Sequence, residues 1–399
     1  MRTPVILVAG QKDTDPVVGA LLRTPGTLVV EHRFDGHVVR RTMVTLQHGV
    51  LTTAEAGLEL AHGCVSCTIR KDLLVLLRQL HRRDDIDRIV VHLAPWLEPE
   101  PICVAIDHVR VRVAPGYVDG PAALDVSIAG VVTCVDSSAW LNQALGDAEL
   151  DDGRTCAQVV VGQVEFADIA VLNHPDPYVA AVLRRLSPRA RITVGVDGIE
   201  HTLDNLYCDA RRGRSDDPHG PLLAGQPPLD SRGPINLVEF GARRPFHPQR
   251  LHACLDLLLE GVIRTRGRLW LASQPDQAMW LESAGGGLRV SSAGQWLAAL
   301  TGPELADVDT ERRAFAELGW DEQHGDRHTA MIILMCGAHA ADIRDGLNSA
   351  LLTDDEFCSP QDWIHYDDPF GDWHEDPCAA LAGDAEDTPA RHIQDGDRE

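Results

Sequence analysis

The chain has 399 residues, 44% of them hydrophobic, and 60 acidic side chains against 36 lysines and arginines give it a formal net charge of −24. That length exceeds one ordinary core and suits two domains, while the acidic excess opposes a nucleic-acid backbone, so no direct sequence-specific nucleic-acid binding is expected. Ten cysteines without framework spacing suit a reducing compartment, and neither a signal segment nor an apolar run of membrane length occurs, so a cytoplasmic protein without membrane contact is expected.

Residues 5–9 form a short apolar run ending at Gly10, and DPVVGALL from Asp15 reads as a helix capped by Asp15 with Pro16 at its first position. Further strands are predicted over 27–31, 88–93, 126–136, 169–172 and 191–196. Helical spacing of apolar residues marks 71–81 and 178–186. Alternating strands and helices imply an α/β fold, a doubly wound and mainly parallel sheet, over residues 1–208. Residues 209–233, rich in Gly, Pro and charge, read as a linker. Clustered β runs at 235–240, 268–273, 278–283, 288–290 and 329–336, with helices after His247 and over 340–351, predict a smaller α+β domain over 234–358. From Asp354 onward fifteen acidic residues face only Arg391 and Arg398. The stretch 359–399 is therefore expected to be an acidic, flexible tail.

The strand-to-helix turn at Gly10 is where a phosphate loop would lie. Such a loop, G-x-x-x-x-G-K-[ST], needs glycines so that backbone N–H groups wrap the phosphates, a lysine for their charge and a hydroxyl for magnesium. Counted from Gly10, those places fall on Asp15, Pro16 and Val17. Asp13 and Asp15 put negative charge where an anion would sit, and Lys12 lies ahead of the lysine position. The pattern predicts loss of nucleotide hydrolysis, with GTP not expected as a cofactor. An ordinary strand-to-helix turn with an Asp cap explains the segment better than any nucleotide role does.

Other segments carry a family signal in order: HGCVSCTIRKDL from His62, GVVTCVDSSAW from Gly130, QVEFADIAVLNHPDP from Gln163, RRPFHPQRLH from Arg243, GDRHTA from Gly325 and LLTDDE from Leu351. Together they resemble the CobW family of P-loop metallochaperone GTPases, including its C-terminal domain, over residues 4–356. The resemblance implies that Asn173 and Asp176, in Asn173-His174-Pro175-Asp176, match the family's guanine-reading Asn-Lys-x-Asp block with His in place of Lys. A residual nucleotide site would then comprise Gly10, Lys12, Asn173 and Asp176. In VHLAPWLEP, from Val91, His92 and Pro95-Trp96 stand where the family's switch usually has Glu and a Gly segment. The family metal motif, Cys-x-Cys-Cys after Gly, reads here Gly63-Cys64-Val65-Ser66-Cys67. Two thiolates need help to hold zinc, with His62 or His48 the candidate further ligands, so a weakened or lost zinc site at Cys64, Cys67 and His62 is expected.

The resulting reading is a partner-binding factor in zinc homeostasis that works without nucleotide hydrolysis. The pattern is similar to mycobacterial CobW-like proteins tied to zinc limitation. That similarity implies a ribosome-hibernation factor and the small ribosomal subunit as partners. RTRGRLWL, from Arg264, is expected to give the C-terminal domain a locally basic surface. The alternatives are an active GTP-dependent zinc metallochaperone using Lys12, and a redox sensor using the Cys64–Cys67 spacing.

Overall fold

The computed structural model describes residues 2–371. Strand β1 (Thr3–Gly10) buries Val5, Leu7 and Ala9 on one face and Ile6 and Val8 on the other, as a strand covered on both sides must. The first face packs on α2 (Val65–Leu80) and α3 (Pro99–His108), the second on α1 (Thr14–Leu22) and α7 (Ile199–Asp204). The other strands of this sheet are β2 (Thr27–Phe34), β3 (Val39–Gln47), β4 (Val50–Leu58), β5 (Arg88–His92), β6 (Val126–Val135), β7 (Ile169–Leu172) and β8 (Arg191–Val194). Three further helices, α4 (Trp140–Ala144), α5 (Cys156–Glu165) and α6 (Pro177–Leu186), cover its β6–β8 side.

The strand order is β4-β3-β2-β5-β1-β6-β7-β8, parallel from β2 to β8, with β3 and β4 added as an antiparallel hairpin. The order reverses at β1, so the carboxyl ends of β1, β5, β6 and β7 frame the crevice where doubly wound folds bind ligands. The β3–β4 hairpin escaped the sequence reading. Its two-residue turn, His48-Gly49, has positive φ at both positions (52° and 78°), the conformation that matches the twist of a tight hairpin.

The second sheet is antiparallel, in the order β12-β11-β10-β13-β9, with β9 (Ile235–Ala242), β10 (Val262–Trp270), β11 (Gln277–Ala284), β12 (Gly287–Gln295) and β13 (Thr329–Cys336). Helices α8 (Pro248–Ala253) and α11 (Ala340–Ala350) pack on it, while α9 (Gly302–Asp307), α10 (Thr310–Leu318) and α12 (Asp354–Phe357) complete the α-helices among the described residues. The α/β and α+β halves share a core: Val160, Val164, Val182 and Leu186 meet Ile235, Ile263 and Leu334.

Three expectations need correction. RTRGRLWL is no basic surface, because it is the central strand β10. Its Arg264 and Arg266 each lie 2.8 Å from the buried carboxylate of Glu165 at the end of α5, and Arg268 is 3% exposed. Residues 209–233 contain no helix or strand but do not hang loose. Ala210, Arg211 and His219 are buried, the Arg212 N–H donates to Asp168 (3.0 Å), and Pro218 and Gly220 carbonyls accept from Arg268 (2.7 Å each). The expected tail is docked over 359–371: Trp363 is buried against Trp270 and Phe357, and its indole N–H donates to the Glu356 carbonyl (2.8 Å). The remainder of that stretch, 372–399, lies outside the described residues. No described helix is long and apolar enough to cross a membrane.

Candidate functional site

At the crevice, β1 ends at Gly10 and α1 begins at Thr14, so residues 11–13 alone connect them. Asp15, Pro16 and Val17 therefore do not occupy a loop. They sit in the first turn of α1, Val17 fully buried, and the N-cap is Asp13 rather than Asp15. Counting along a motif assumes an unshortened loop, and this connection is too short to form one. Asp13 adopts left-handed backbone geometry (φ 59°) without a side-chain cap bond. Gly10 has φ +144°, and a Cβ there would lie 2.7 Å from the Cys134 carbonyl oxygen, so close packing against β6 demands glycine.

Polar side chains fill the space beside this turn. Asn173, just beyond β7, donates from Nδ2 to Asp13 (3.0 Å) and Asp136 (3.3 Å), and its Oδ1 accepts from the Ser137 N–H (3.0 Å). Lys12 Nζ stands 3.9 Å from Asp136 but is two-thirds exposed. The Ser138 hydroxyl, bonded at 2.6 Å, holds the Asp136 carboxyl below its ordinary range. Gln11 donates to the Pro95 carbonyl (2.6 Å), and Gln163 to the same oxygen (2.8 Å). Across the turn, His92 bonds the Thr14 hydroxyl (2.9 Å) and Glu31 (3.2 Å). Burial raises the Glu31 carboxyl, but hydrogen bonds from His92 and Arg33 outweigh it and leave the group below its ordinary value.

Of the four residues expected to form a residual nucleotide site, Gly10, Lys12 and Asn173 come together. Asp176 caps α6 through Oδ1, which accepts the N–H groups of Tyr178 (2.8 Å) and Val179 (2.9 Å), and it lines a cavity with Ser137 and Ser138. Asp136 and the His92–Thr14–Glu31 group were not singled out as site residues. A carboxylate directly after a parallel strand was the available signal for Asp136.

Cys64 and Cys67 lie at the start of α2, on the same sheet edge as Gly10, because β4 runs parallel to β1 and delivers the chain there. Cys64 is the N-cap, its Sγ accepting the Cys67 N–H (3.2 Å). His62 falls in the short turn Ala61–Gly63, its side chain outside the described residues. His48 cannot join the thiols. It occupies the β3–β4 turn at the opposite edge of the sheet, where its neighbour Gln47 donates to Asp85 (3.3 Å). Among the described residues, no group of three or more His, Cys, Asp or Glu converges as a metal site.

The model for the CobW/HypB/UreG nucleotide-binding domain matches residues 30–192, and that for the cobalamin synthesis protein cobW C-terminal domain matches residues 235–351. A Mycobacterium tuberculosis protein named zinc chaperone Rv0106 is 70% identical over 378 residues, covering 95% of each chain. The chain belongs to the CobW family. The zinc-regulated GTPase metalloprotein activator 1 of Dictyostelium discoideum is 27% identical over 369 residues, 86% of this chain and 74% of that one. The Zn(II)-bound YjiA GTPase from E. coli aligns at 13% identity and a TM-score of 0.39, over 88% of this chain and all of that one. The CobW nucleotide-binding match starts at residue 30, in β2, and so leaves out the turn at Gly10.

Proposed function

We propose that this CobW-family chain is a zinc-homeostasis factor that acts by binding a protein partner and does not hydrolyse nucleotide. One observation carries the second half of that reading: residues 11–13 are the whole connection between β1 and α1, and Asn173 ties its Asp13 to Asp136. A phosphate cradle needs several inward N–H groups and a lysine. Here carboxylates and an amide line that space, Val17 is buried, and Pro16 has no N–H to offer. The residues present do not fit a nucleoside triphosphate.

The zinc-homeostasis half rests on relatives whose names include zinc chaperone and zinc-regulated GTPase metalloprotein activator. For zinc itself, the chain offers Cys64 and Cys67 within one helical turn, a pair able to supply two thiolates at a helix N-terminus, where thiolate is favoured. The partner inferred from family resemblance is a ribosome-hibernation factor acting at the small ribosomal subunit, in the cytoplasm.

The test has two arms on the full chain. Titration with a fluorescent GTP analogue and magnesium, with phosphate release followed in parallel, is expected to show neither saturable binding nor turnover. Magnesium-dependent turnover abolished by Lys12→Ala would overturn the reading. Affinity purification of the tagged protein from zinc-replete and zinc-starved cells is expected to recover a protein partner. Recovery of no specific partner under either condition counts against a binding role.

A further inference from the structure

Away from that crevice, a cavity of about 440 Å³ opens in the C-terminal half between β9, β10, β13 and α10. Three guanidiniums line it: Arg243 just past β9, Arg268 on β10 and Arg312 on α10. None forms an ion pair with a carboxylate among the described residues. Arg268, 3% exposed, donates to the carbonyls of Pro218 and Gly220 (2.7 Å each) and to His328 Nε2 (3.4 Å). Arg312 donates to the Gln295 carbonyl (2.7 Å), and its buried Nε has no partner. The one lining carboxylate, Asp326, is engaged by the N–H groups of Leu297 (2.9 Å) and Ala298 (3.0 Å).

In a chain with 60 acidic side chains, three arginines lining one cavity without a carboxylate in ion-pair contact among the described residues are conspicuous; Asp217 and Asp321 act on Arg268 and Arg243 only from farther off. Their mutual repulsion and desolvation cost stability unless something anionic enters. Burial already holds Arg268 down, to about 10, with only a partial offset from Asp217. The two lining histidines add no charge of their own to this balance. His219 donates from Nε2 to the Ala293 carbonyl (2.7 Å), and His328 from Nδ1 to the Asp326 carbonyl (2.7 Å) while its other nitrogen faces Arg268; burial lowers both from their ordinary value.

Apart from Leu318, the rest of the wall is aromatic or small. Trp296 is fully buried with its indole N–H unpartnered, and Phe315 stands 5.9 Å from the Arg268 guanidinium. Ala242, Ala316 and Ala330 leave room between them. The volume lies within the range of small-ligand sites, about 300–1,000 Å³. We propose that this cavity binds a small organic anion, a carboxylate or phosphate ester on a flat apolar body, with Arg243, Arg268 and Arg312 as its charge partners. The guanidinium fork suits both acid groups, and the ring walls suit the body.

Calorimetric titration of the full chain with phenyl phosphate, benzoate and inorganic phosphate tests this. At least one aryl anion is expected to bind saturably and at least tenfold more tightly than inorganic phosphate, on the order of the binding of one buried ring. Which aryl anion binds more tightly distinguishes a phosphate source from a carboxylate source. Arg243→Gln and Arg312→Gln are each expected to weaken it by about tenfold, as the loss of one charge-assisted contact would. Both arginines are surface-reaching, so thermal unfolding of each variant checks that the fold persists. Arg344→Gln, on the exposed side of α11, is expected to leave binding unchanged. Absence of saturable binding by either aryl anion, or equal binding by the folded Arg243→Gln and Arg312→Gln variants, would overturn the assignment. Inorganic phosphate binding as tightly as the tighter of the two aryl anions would also overturn it.

Discussion

Replacing Glu165 by Gln keeps the shape of the side chain and deletes the charge on which the two halves of the molecule are pinned. Glu165 lies at the end of α5 and meets Arg264 (2.8 Å) and Arg266 (2.8 Å) of β10, in the other sheet. Arg264 retains Glu282 (2.9 Å), whereas Arg266 is left with the Leu222 carbonyl (3.2 Å). Breaking a buried pair by removing one partner costs about 3–5 kcal/mol, because the other charge stays buried. At roughly 2 °C per kcal/mol for a chain of this size, Glu165→Gln is expected to lower Tm by about 6–10 °C. The same carboxyl gives a pH signature. Burial raises it, but Arg264 and Arg266 outweigh burial and hold it below its ordinary value of 4.5. Its stabilisation is therefore complete above the ordinary carboxylate range and is lost as pH falls through the depressed value. The assay is calorimetric unfolding of wild type and Glu165→Gln across acid to neutral pH, repeated with Arg264 and Arg266 both changed to Met. An unaltered Tm at neutral pH, or an equal loss in the background lacking both arginines, would refute the argument that charge pairing joins the halves.

Three other expectations are simpler. Gly10→Ala places a Cβ 2.7 Å from the Cys134 carbonyl oxygen at φ +144°; the strain and overlap should cost about 2–4 kcal/mol in chemical denaturation, and unchanged stability would mean that the turn is looser than described. Trp363→Ala empties a buried indole site against Trp270 and Phe357; it should cost about 3–5 kcal/mol and expose 359–371 to limited proteolysis, and an unchanged cleavage pattern would contradict docking of that stretch. Ser66→Cys adds a third thiol in the first turn of α2 and should tighten zinc by about tenfold or more in chelator competition while Cys64→Ser weakens it; equal affinities in all three proteins would remove Cys64 and Cys67 from any zinc site.

The parts of the fold legible in the sequence are those encoded locally. A parallel strand buried on both faces must be an apolar run, so residues 5–9, 169–172 and their neighbours announced the doubly wound sheet by composition alone. Helices such as α6 followed from three-and-four spacing, and the ordered blocks from His62 to Glu356 marked the family. The β3–β4 hairpin was not legible, because β4 is an edge strand with most of its residues exposed, and such a strand carries no apolar run or clean alternation.

What the tertiary structure decided is which residues separated along the chain meet, and that reverses several local meanings. Arg264, Arg266 and Arg268 read as a basic surface until Glu165 and the carbonyls of 218 and 220 were brought against them. Asp176 read as a base-contacting carboxylate, and the fold gives its Oδ1 a second task as the cap of α6. Asn173 and Asp13 are separated by 160 positions, yet a 3.0 Å bond joins them at the crevice. The composition of a segment fixes how much it gains from burial, but a charge is surface or core according to whether an opposite charge or a carbonyl is folded against it, and no local pattern carries that partner's address.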